Sequence, residues 1–149
     1  MQKTIFFLIF FMIFSVRCKS HSKSEQTNQI NKWEQIYQKY KGTKYRYGGT
    51  TARGFDCSGF VQRAYMEAYQ ISLPRTTTAM MKKGKKIAKN KLKTGDLVFF
   101  HPTRKYYHVG IYLGDGIFMH ASTSKGISKA DMHLSYWEKS YVTARRILP

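Results

Sequence analysis

The sequence predicts an α+β fold, with helices in the first half of the chain and antiparallel strands in the second. Apolar residues recur at helical spacing up to about residue 69, whereas the short apolar runs typical of strands begin at Leu97. Helices followed by a series of strands are typical of the α+β class. The length of 149 residues and the 42% content of hydrophobic residues indicate one folded domain with its own core.

The first 18 residues are typical of an export signal. Ile5 to Phe14 form an unbroken apolar run of ten residues behind Lys3. Such a run fits the core of a signal peptide, roughly 7–15 residues, and is shorter than the roughly 18 that span a membrane. We therefore predict an exported protein with residues 1–18 as its signal peptide. Cys18 is either the lipid acceptor of a lipoprotein, which would anchor the chain to a membrane, or incidental to ordinary secretion, since Arg17 stands where a small residue is expected.

Two helices are predicted after this signal. Residues 19–29 are polar and predict a tether, so the folded domain is expected at residues 30–149. The first helix runs to Tyr40 and is ended by Gly42, with the spacing i, i+3, i+4 and i+7 at Trp33, Ile36, Tyr37 and Tyr40. The second runs from about Cys57 to Tyr69, and its apolar stripe consists of Phe60, Val61, Ala64, Tyr65 and Ala68.

Four strands are predicted in the second half of the chain. Gly95 and Asp96 precede the first of them, and the sequence Gly-Asp-Gly at residues 114–116 predicts a hairpin turn between the second and the third. The expected strands are Leu97–Phe100, Tyr107–Leu113, Ile117–Ala121 and Tyr141–Ile147.

The charge balance is strongly basic. The chain has 26 Lys and Arg against 8 Asp and Glu, a formal net charge of +18. Such a surface attracts polyanions. In an exported protein these are wall polymers, acidic peptides or anionic lipid, and the export signal argues against nucleic acid as a partner. The densest basic run, Lys82–Lys93, is interpreted as a solvated loop that adds electrostatic attraction.

Cys57 is the candidate nucleophile. Once Cys18 is set aside it is the one cysteine left, so the mature domain can form no internal disulfide, and a lone thiol in an exported protein needs a reason. The N-terminus of a helix favours the thiolate, which is the attacking form. Its free N–H groups can also stabilise an oxyanion. The alternative interpretation is a buried cysteine that acts as a small hydrophobic side chain.

The predicted hairpin supplies two histidines, His108 and His120. If Leu113 pairs with Ile117 around a three-residue turn, the numbers of paired residues sum to 230 and the two histidines lie diagonally on one face. A two-residue turn would place them on opposite faces. On the first register one histidine acts as a base for Cys57 while the other fixes its orientation. The alternative is that each is an ordinary strand histidine.

Five segments have a distinctive order and spacing: YRYGGTTARGFDCSGFVQRAY (Tyr45–Tyr65), LPRTT (Leu73–Thr77), TGDLVFF (Thr94–Phe100), HVGIYLGDGIFMHAS (His108–Ser122) and YVTARRI (Tyr141–Ile147). They resemble the NlpC-type family of papain-fold cysteine peptidases, which act on bacterial cell walls. The resemblance extends from about Trp33 to Ile147 and is strongest in DCSG and HVGIY. It implies a papain-like fold in which N-terminal helices pack on a central antiparallel sheet.

The resemblance also implies roles for single residues. Cys57 matches the nucleophile, His108 the general base and His120 the residue that orients the base. Tyr47 matches a tyrosine near the nucleophile that helps to bind substrate or the oxyanion, and Arg75 an arginine with a structural role. The two neighbours of the nucleophile match positions that contact the stem peptide, and these are Asp56, which is also the predicted N-cap of the second helix, and Ser58.

The implied function is a murein endopeptidase that hydrolyses an amide bond in peptidoglycan stem peptides or cross-links through a Cys-His-His thiolate mechanism. The resemblance implies no cofactor or metal, peptidoglycan as partner and a monomer. It also implies an exported location: secreted, or in the cell envelope, which is the periplasm or, for a lipoprotein, the outer membrane.

Three alternatives remain open at this point. The same thiolate can serve an amidase or an acyl transferase. A zinc site would use Cys57, His108 and His120, but the sequence offers no clear fourth ligand. A non-catalytic, basic wall-binding module would depend on charge alone and would not need Cys57.

Overall fold

The computed structural model describes residues 23–149, so the predicted signal peptide, Cys18 and the first four tether residues lie outside the described residues. Helix α1 covers residues 23–40 of them and includes the predicted helix 30–40. Residues 23–29, predicted as part of a tether, are helical and mostly exposed. Lys, Glu and Gln are good helix formers, so this polar stretch extends the helix N-terminally although it lacks an apolar face.

The elements that follow are short helices and strands. The second predicted helix has the predicted bounds, and all four predicted strands are present. In chain order the elements are β1 (Thr50–Thr51), β2 (Gly54–Phe55), α2 (Cys57–Tyr69), α3 (Thr77–Met80), β3 (Lys85–Ile87), a 3-10 turn (Lys89–Lys91), β4 (Leu97–Thr103), β5 (Tyr106–Gly114), β6 (Ile117–Ser122), β7 (Gly126–Asp131), α4 (Ser135–Ser140) and β8 (Tyr141–Arg146).

The central sheet has six antiparallel strands in the order β3-β8-β4-β5-β6-β7. This confirms the predicted α+β class. The larger core lies between one face of the sheet and the helices, where Trp33 of α1 and Phe60 of α2 meet Val109 and Ile111 of β5. A smaller core on the other face is formed by Ile87, Val98, Phe100, Phe118, Met132 and Ala144, with Trp137 of α4 packed against it.

Helix α2 is fixed at both ends. The carboxylate of Asp56 accepts a hydrogen bond from the backbone N–H of Gly59, which confirms the predicted cap. The helix ends at Gln70, whose backbone is left-handed with φ 57°. Near the end of the helix the hydroxyl of Tyr65 donates a hydrogen bond to the backbone carbonyl of Gly95, which ties α2 to the segment that leads into β4.

The β5–β6 hairpin has the register on which the prediction of the two histidines depends. Ile111 pairs with Met119 and Tyr112 with Phe118, so the paired numbers sum to 230. The turn itself differs from the prediction, since Gly114 pairs with Ile117 around two residues. A bulge between Tyr112 and Gly114 takes up the extra residue, and this keeps the rest of the hairpin in the predicted register.

Three of the elements that were not predicted extend or cover the central sheet. Part of the basic run forms β3 at the edge of the sheet, where it pairs with β8, instead of a loop throughout. β7 forms the opposite edge beside β6, and α4 covers the second face of the sheet. The basic run nevertheless remains solvated, because all seven of its lysines are exposed: Lys82, Lys83, Lys85, Lys86, Lys89, Lys91 and Lys93. Among residues 23–149 there is no helix long and apolar enough to cross a membrane.

Candidate active site

Cys57 is the first residue of α2 and is partly exposed. Its Sγ lies 3.5 Å from the hydroxyl oxygen of Thr77, at the start of α3. The backbone N–H groups of Cys57 and Ser58 belong to the first turn of the helix, where no preceding turn offers an acceptor. The thiol therefore lies beside free N–H donors, an arrangement that stabilises a negative charge.

An internal network holds the position of Cys57. The carboxylate of Asp56 forms two hydrogen bonds with the guanidinium of Arg75, at 2.6 and 3.0 Å, and accepts another from the backbone N–H of Gly48. Ser58 is buried, and its hydroxyl oxygen accepts a hydrogen bond from Arg75 at 2.9 Å. Burial acts to raise the pKa of Asp56, but the bonds from Arg75 and Gly59 outweigh it and hold that pKa below its usual value.

The loop before β1 packs directly against the start of α2. A Cβ at Gly59 would lie 2.1 Å from the carbonyl oxygen of Gly49, so glycine is required for the two backbones to approach this closely. The backbone N–H of Asp56 donates to the same carbonyl of Gly49 at 3.0 Å. Together with the ion pair of Asp56 with Arg75, this contact fixes the position of Cys57 at the start of α2.

The two histidines are brought together as predicted. His108 Nε2 lies 2.8 Å from His120 Nδ1, and the two rings meet edge to face. Both side chains are buried, with 8% and 4% of their surfaces exposed. Burial lowers the pKa of His108 to about 4, and burial, followed by the positive charges of His108 and Lys125, lowers that of His120 to about 3. Both rings are therefore neutral at neutral pH.

The contact between the histidines decides which nitrogen of His108 is available. Because Nε2 faces His120, Nδ1 is the nitrogen left for a proton from a thiol. If His108 Nε2–H donates to His120 Nδ1, then His108 Nδ1 carries a free lone pair and can act as a base. In the opposite tautomer Nδ1 holds a proton and cannot accept one. His120 can therefore serve as the orienting residue by accepting that hydrogen bond.

Trp137 of α4 covers both imidazoles, and sequence reasoning missed it. The centre of its ring lies 5.4 Å from that of His108 and 5.1 Å from that of His120, while Phe118 packs on His120 from the strand. Aromatic rings on two sides keep water from the imidazoles. The segment Ser-Tyr-Trp-Glu-Lys-Ser at 135–140 is a short polar helix with two adjacent aromatic residues, Tyr136 and Trp137, and this aromatic pair was the available signal.

A cleft of about 460 Å³ opens beside the histidine pair. His108, His120 and Trp137 line one side of it, and the turn between β6 and β7 lines another, with Ser122 and Lys125. Cys57 is not part of this lining. The cleft therefore offers space for a ligand beside the candidate base rather than around the candidate nucleophile.

The structure does not join Cys57 to His108 by a hydrogen bond. Within residues 23–149 the polar partner of the thiol is Thr77, and that of His108 is His120. Helix α2 nevertheless packs on β5 and β6, the strands of the two histidines. Hydrogen bonds between catalytic groups are often long without substrate and tighten when it binds, so this arrangement is compatible with a Cys-His pair that closes on substrate.

The two tyrosines of the loop before Cys57 differ in their packing, since Tyr45 contacts the core and Tyr47 does not. Tyr47 is 91% exposed, and its role in binding substrate stays a prediction. Tyr45 is partly buried against the main core, as is Cys57. Burial raises its pKa, and negative charge at Cys57 and Asp56 raises it further. Both tyrosines belong to the motif Tyr-Arg-Tyr-Gly-Gly, and the sequence pattern alone did not separate them.

No group of three or more His, Cys, Asp or Glu side chains within residues 23–149 is arranged to hold a metal ion. Among the residues with an expected role, His108 contacts His120, and Asp56 forms hydrogen bonds with Ser58 and Arg75.

Comparison with known proteins identifies the family. The sequence pattern of the NlpC/P60 family matches residues 42–146, which include the start of α2 and both histidines. The chain belongs to the NlpC/P60 family. It is 48% identical over 113 residues to the probable endopeptidase NlpC homolog of Haemophilus influenzae. The match covers 76% of this chain and 60% of the relative.

Two further similarities agree with this family assignment. The murein DD-endopeptidase MepS/murein LD-carboxypeptidase of Escherichia coli K12 is 47% identical over 112 residues, which cover 75% of this chain and 60% of that protein. The chain thus spans about 60% of the length of these two relatives. A lipoprotein-like NLP/P60 protein of Staphylococcus aureus has a similar fold, with a TM-score of 0.74 and 34% identity over 81% of this chain and 42% of its own.

Proposed function

We propose that this NlpC/P60 domain is a cysteine endopeptidase that hydrolyses an amide bond in peptidoglycan stem peptides or cross-links. The contact between His108 Nε2 and His120 Nδ1 carries the proposal, since it leaves Nδ1 of a buried, neutral imidazole as a base. The names of the relatives support the substrate, because one of them is a murein DD-endopeptidase. A D,D cross-link between stem peptides is therefore the first bond to test.

The first half of the reaction forms an acyl-enzyme. His108 Nδ1 takes the proton from Cys57, and the thiolate adds to the carbonyl carbon of the scissile amide. The carbonyl oxygen becomes an oxyanion, which the backbone N–H groups of Cys57 and Ser58 are placed to stabilise. The protonated His108 then gives its proton to the leaving nitrogen, the C–N bond breaks, and the amine product departs.

The second half returns the enzyme to its starting state. Neutral His108 takes a proton from a water molecule, and the hydroxide adds to the thioester carbonyl. The second tetrahedral intermediate collapses, the C–S bond breaks, and the protonated His108 returns its proton to the sulfur of Cys57. His120 stabilises the imidazolium in both halves by accepting the hydrogen bond from Nε2–H.

The remaining site residues have positioning roles in this proposal. Asp56 and Ser58 use their polar atoms on Arg75 and on the backbone, so we assign them to holding the start of α2 rather than to contact with the stem peptide. Tyr45 joins Tyr47 as a residue proposed to meet substrate beside Cys57. We also retain export as part of the proposal, with Cys18 as lipid acceptor or as an incidental residue.

The decisive experiment measures cleavage of cross-linked murein fragments by the purified mature protein. We expect the wild type to release uncross-linked stems, and Cys57→Ala to lose at least about a thousandfold in kcat while it still binds the fragments. Cys57→Ala with full activity would exclude the thiol mechanism and leave a wall-binding module driven by charge. Mass spectrometry of the products distinguishes the amidase and acyl-transferase alternatives, because each breaks or forms a different bond.

A further inference from the structure

The cleft beside the histidines contains one ammonium that has no ion-pair partner within residues 23–149. Three charged side chains line it: Lys125, Lys129 and Asp131. Lys129 is bonded to the carboxylate of Glu34 at 2.7 Å, and Asp131 accepts a hydrogen bond from the backbone of His133 at 2.8 Å. No acidic side chain within residues 23–149 pairs with the ammonium of Lys125. The cleft thus contains the ammonium of Lys125 and the carboxylate of Asp131, and neither forms an ion pair within residues 23–149.

Two serine hydroxyls lie in the same turn as Lys125. Lys125 lies in the turn between β6 and β7, where its backbone N–H donates to the hydroxyl of Ser122 at 3.2 Å. That hydroxyl lies 3.3 Å from the hydroxyl of Ser124. The three residues, which we call the Lys125 corner, combine an ammonium with two O–H groups at one side of the cleft. Such a set of donors suits an anionic group with several acceptor oxygens.

The Lys125 corner is close to the reacting groups. The positive charge of Lys125 contributes to the lowered pKa of His120, so the ammonium acts at the orienting imidazole, and both residues line the same cleft. A ligand that places an anion on Lys125 therefore has the adjoining atoms beside the histidine pair. A carboxylate on Lys125 and an amide beside His108 thus fit within one cleft of about 460 Å³.

We propose that the Lys125 corner binds a free carboxylate of the stem peptide next to the scissile amide. The inference rests on the proposed function, since it names which form of the substrate the site takes. Stem peptides carry carboxyl groups beside their amide bonds, and each can exist as a carboxylate or as a neutral carboxamide. The ammonium favours the carboxylate, so Lys125 is a specificity-determining residue that disfavours amidated substrate.

The test uses cross-linked fragments that differ at one carboxyl group at a time, as carboxylate or as carboxamide. For one of these positions we expect the wild type to prefer the carboxylate roughly tenfold in kcat/KM, mainly through KM. Lys125→Ala should remove this preference, Lys125→Arg should keep it, and Lys125→Glu should reverse it. Lys129→Ala is the matched control, because its ammonium is already paired with Glu34, and it should leave the preference intact.

Two outcomes would overturn the inference. One is a wild type that cleaves carboxylate and carboxamide fragments equally at every position. The other is a Lys125→Ala variant that keeps the wild-type preference. Calorimetric binding of the same fragments to Cys57→Ala and to Cys57→Ala/Lys125→Ala tests the corner without turnover. If the wild type cleaves no fragment the proposed function fails, and this binding comparison still decides whether Lys125 selects the carboxylate.

Discussion

The start of α2 and the β5–β6 hairpin provide the two halves of the site, and they are held in different ways. Around Cys57 the contacts are polar: the ion pair of Asp56 with Arg75, the bonds to backbone N–H groups, and the contact of the thiol with Thr77. Around His108 and His120 the contacts are mostly aromatic, from Phe118 and Trp137. Cys57 is thus held by polar contacts at a partly exposed position, whereas burial keeps His108 neutral.

The largest effect is expected from removal of the base. His108→Ala should lower kcat by about a thousandfold or more, since no other group in the described site can take the proton from Cys57. The measurement is the rate of fragment cleavage at saturating substrate. His133→Ala is the control, because His133 is exposed and lies outside the cleft lining. Equal rates for the two variants would remove His108 from the mechanism.

The next largest effect is expected from loss of the polar contacts of Asp56, which should lower the free energy of unfolding. Asp56→Ala leaves Arg75 unpaired and removes the cap of α2, which we expect to cost about 2–3 kcal/mol of unfolding free energy, reduced from the value for a fully buried pair because Arg75 is 39% exposed. Urea denaturation measures the loss. Arg63→Ala, which removes a partly exposed ion pair with Glu67 at 4.0 Å and a hydrogen bond to the carbonyl oxygen of Thr50 at 3.4 Å, should cost about 1 kcal/mol or less. Equal losses of unfolding free energy in the two variants would mean that the contacts of Asp56 stabilise the fold no more than a partly exposed ion pair.

The burial of His108 among aromatic rings predicts how stability and kcat/KM depend on pH. The pKa of His108 in the folded protein, about 4, lies below its ordinary value of 6.5, so protonation favours the unfolded chain. This contribution to stability is complete above pH 6.5 and is lost as the pH falls toward 4. The acid limb of kcat/KM should therefore have its midpoint well below pH 6.5. Trp137→Ala admits water and should raise that midpoint by about one unit; an unchanged midpoint would separate Trp137 from the low pKa.

The smallest effect is expected at Thr77. Thr77→Val removes the hydroxyl that lies 3.5 Å from the thiol and should lower the rate of alkylation of Cys57 by iodoacetamide a fewfold, because the sulfur is less firmly placed. Thr78→Val is the control, since the hydroxyl of Thr78 contacts Thr76 instead. If both variants react at the wild-type rate, the contact of Thr77 with the thiol does not position it.

The same contrast explains what the sequence could predict. Helix α2 from Cys57 to Tyr69 and its cap are local features, and both were predictable from spacing and residue type. The contact of His108 with His120 followed from strand alternation once the register was assumed. Such arguments need only neighbouring residues or one hairpin.

Features that depend on distant partners were missed. β7 and α4 are short and polar, and each is stabilised by the element it packs on, so local patterns do not show them. Trp137 therefore could not be placed over the histidines. Tyr45 forms a backbone bridge with Phe55, ten residues further along the chain, and packs on the core, whereas Tyr47 is exposed. Part of the basic run forms a strand because it pairs with β8, which is distant in the sequence.

β3 has a consequence for how copies of the protein meet. It is the outer strand of the sheet, so one of its flanks pairs with β8 while the other presents backbone N–H and C=O groups that a further strand can pair with. Lys85 and Lys86 on β3 are both exposed. A second molecule that brought the same strand alongside would bring like charges together, so we expect the sheet to end at six strands and the protein to resist aggregation through this edge.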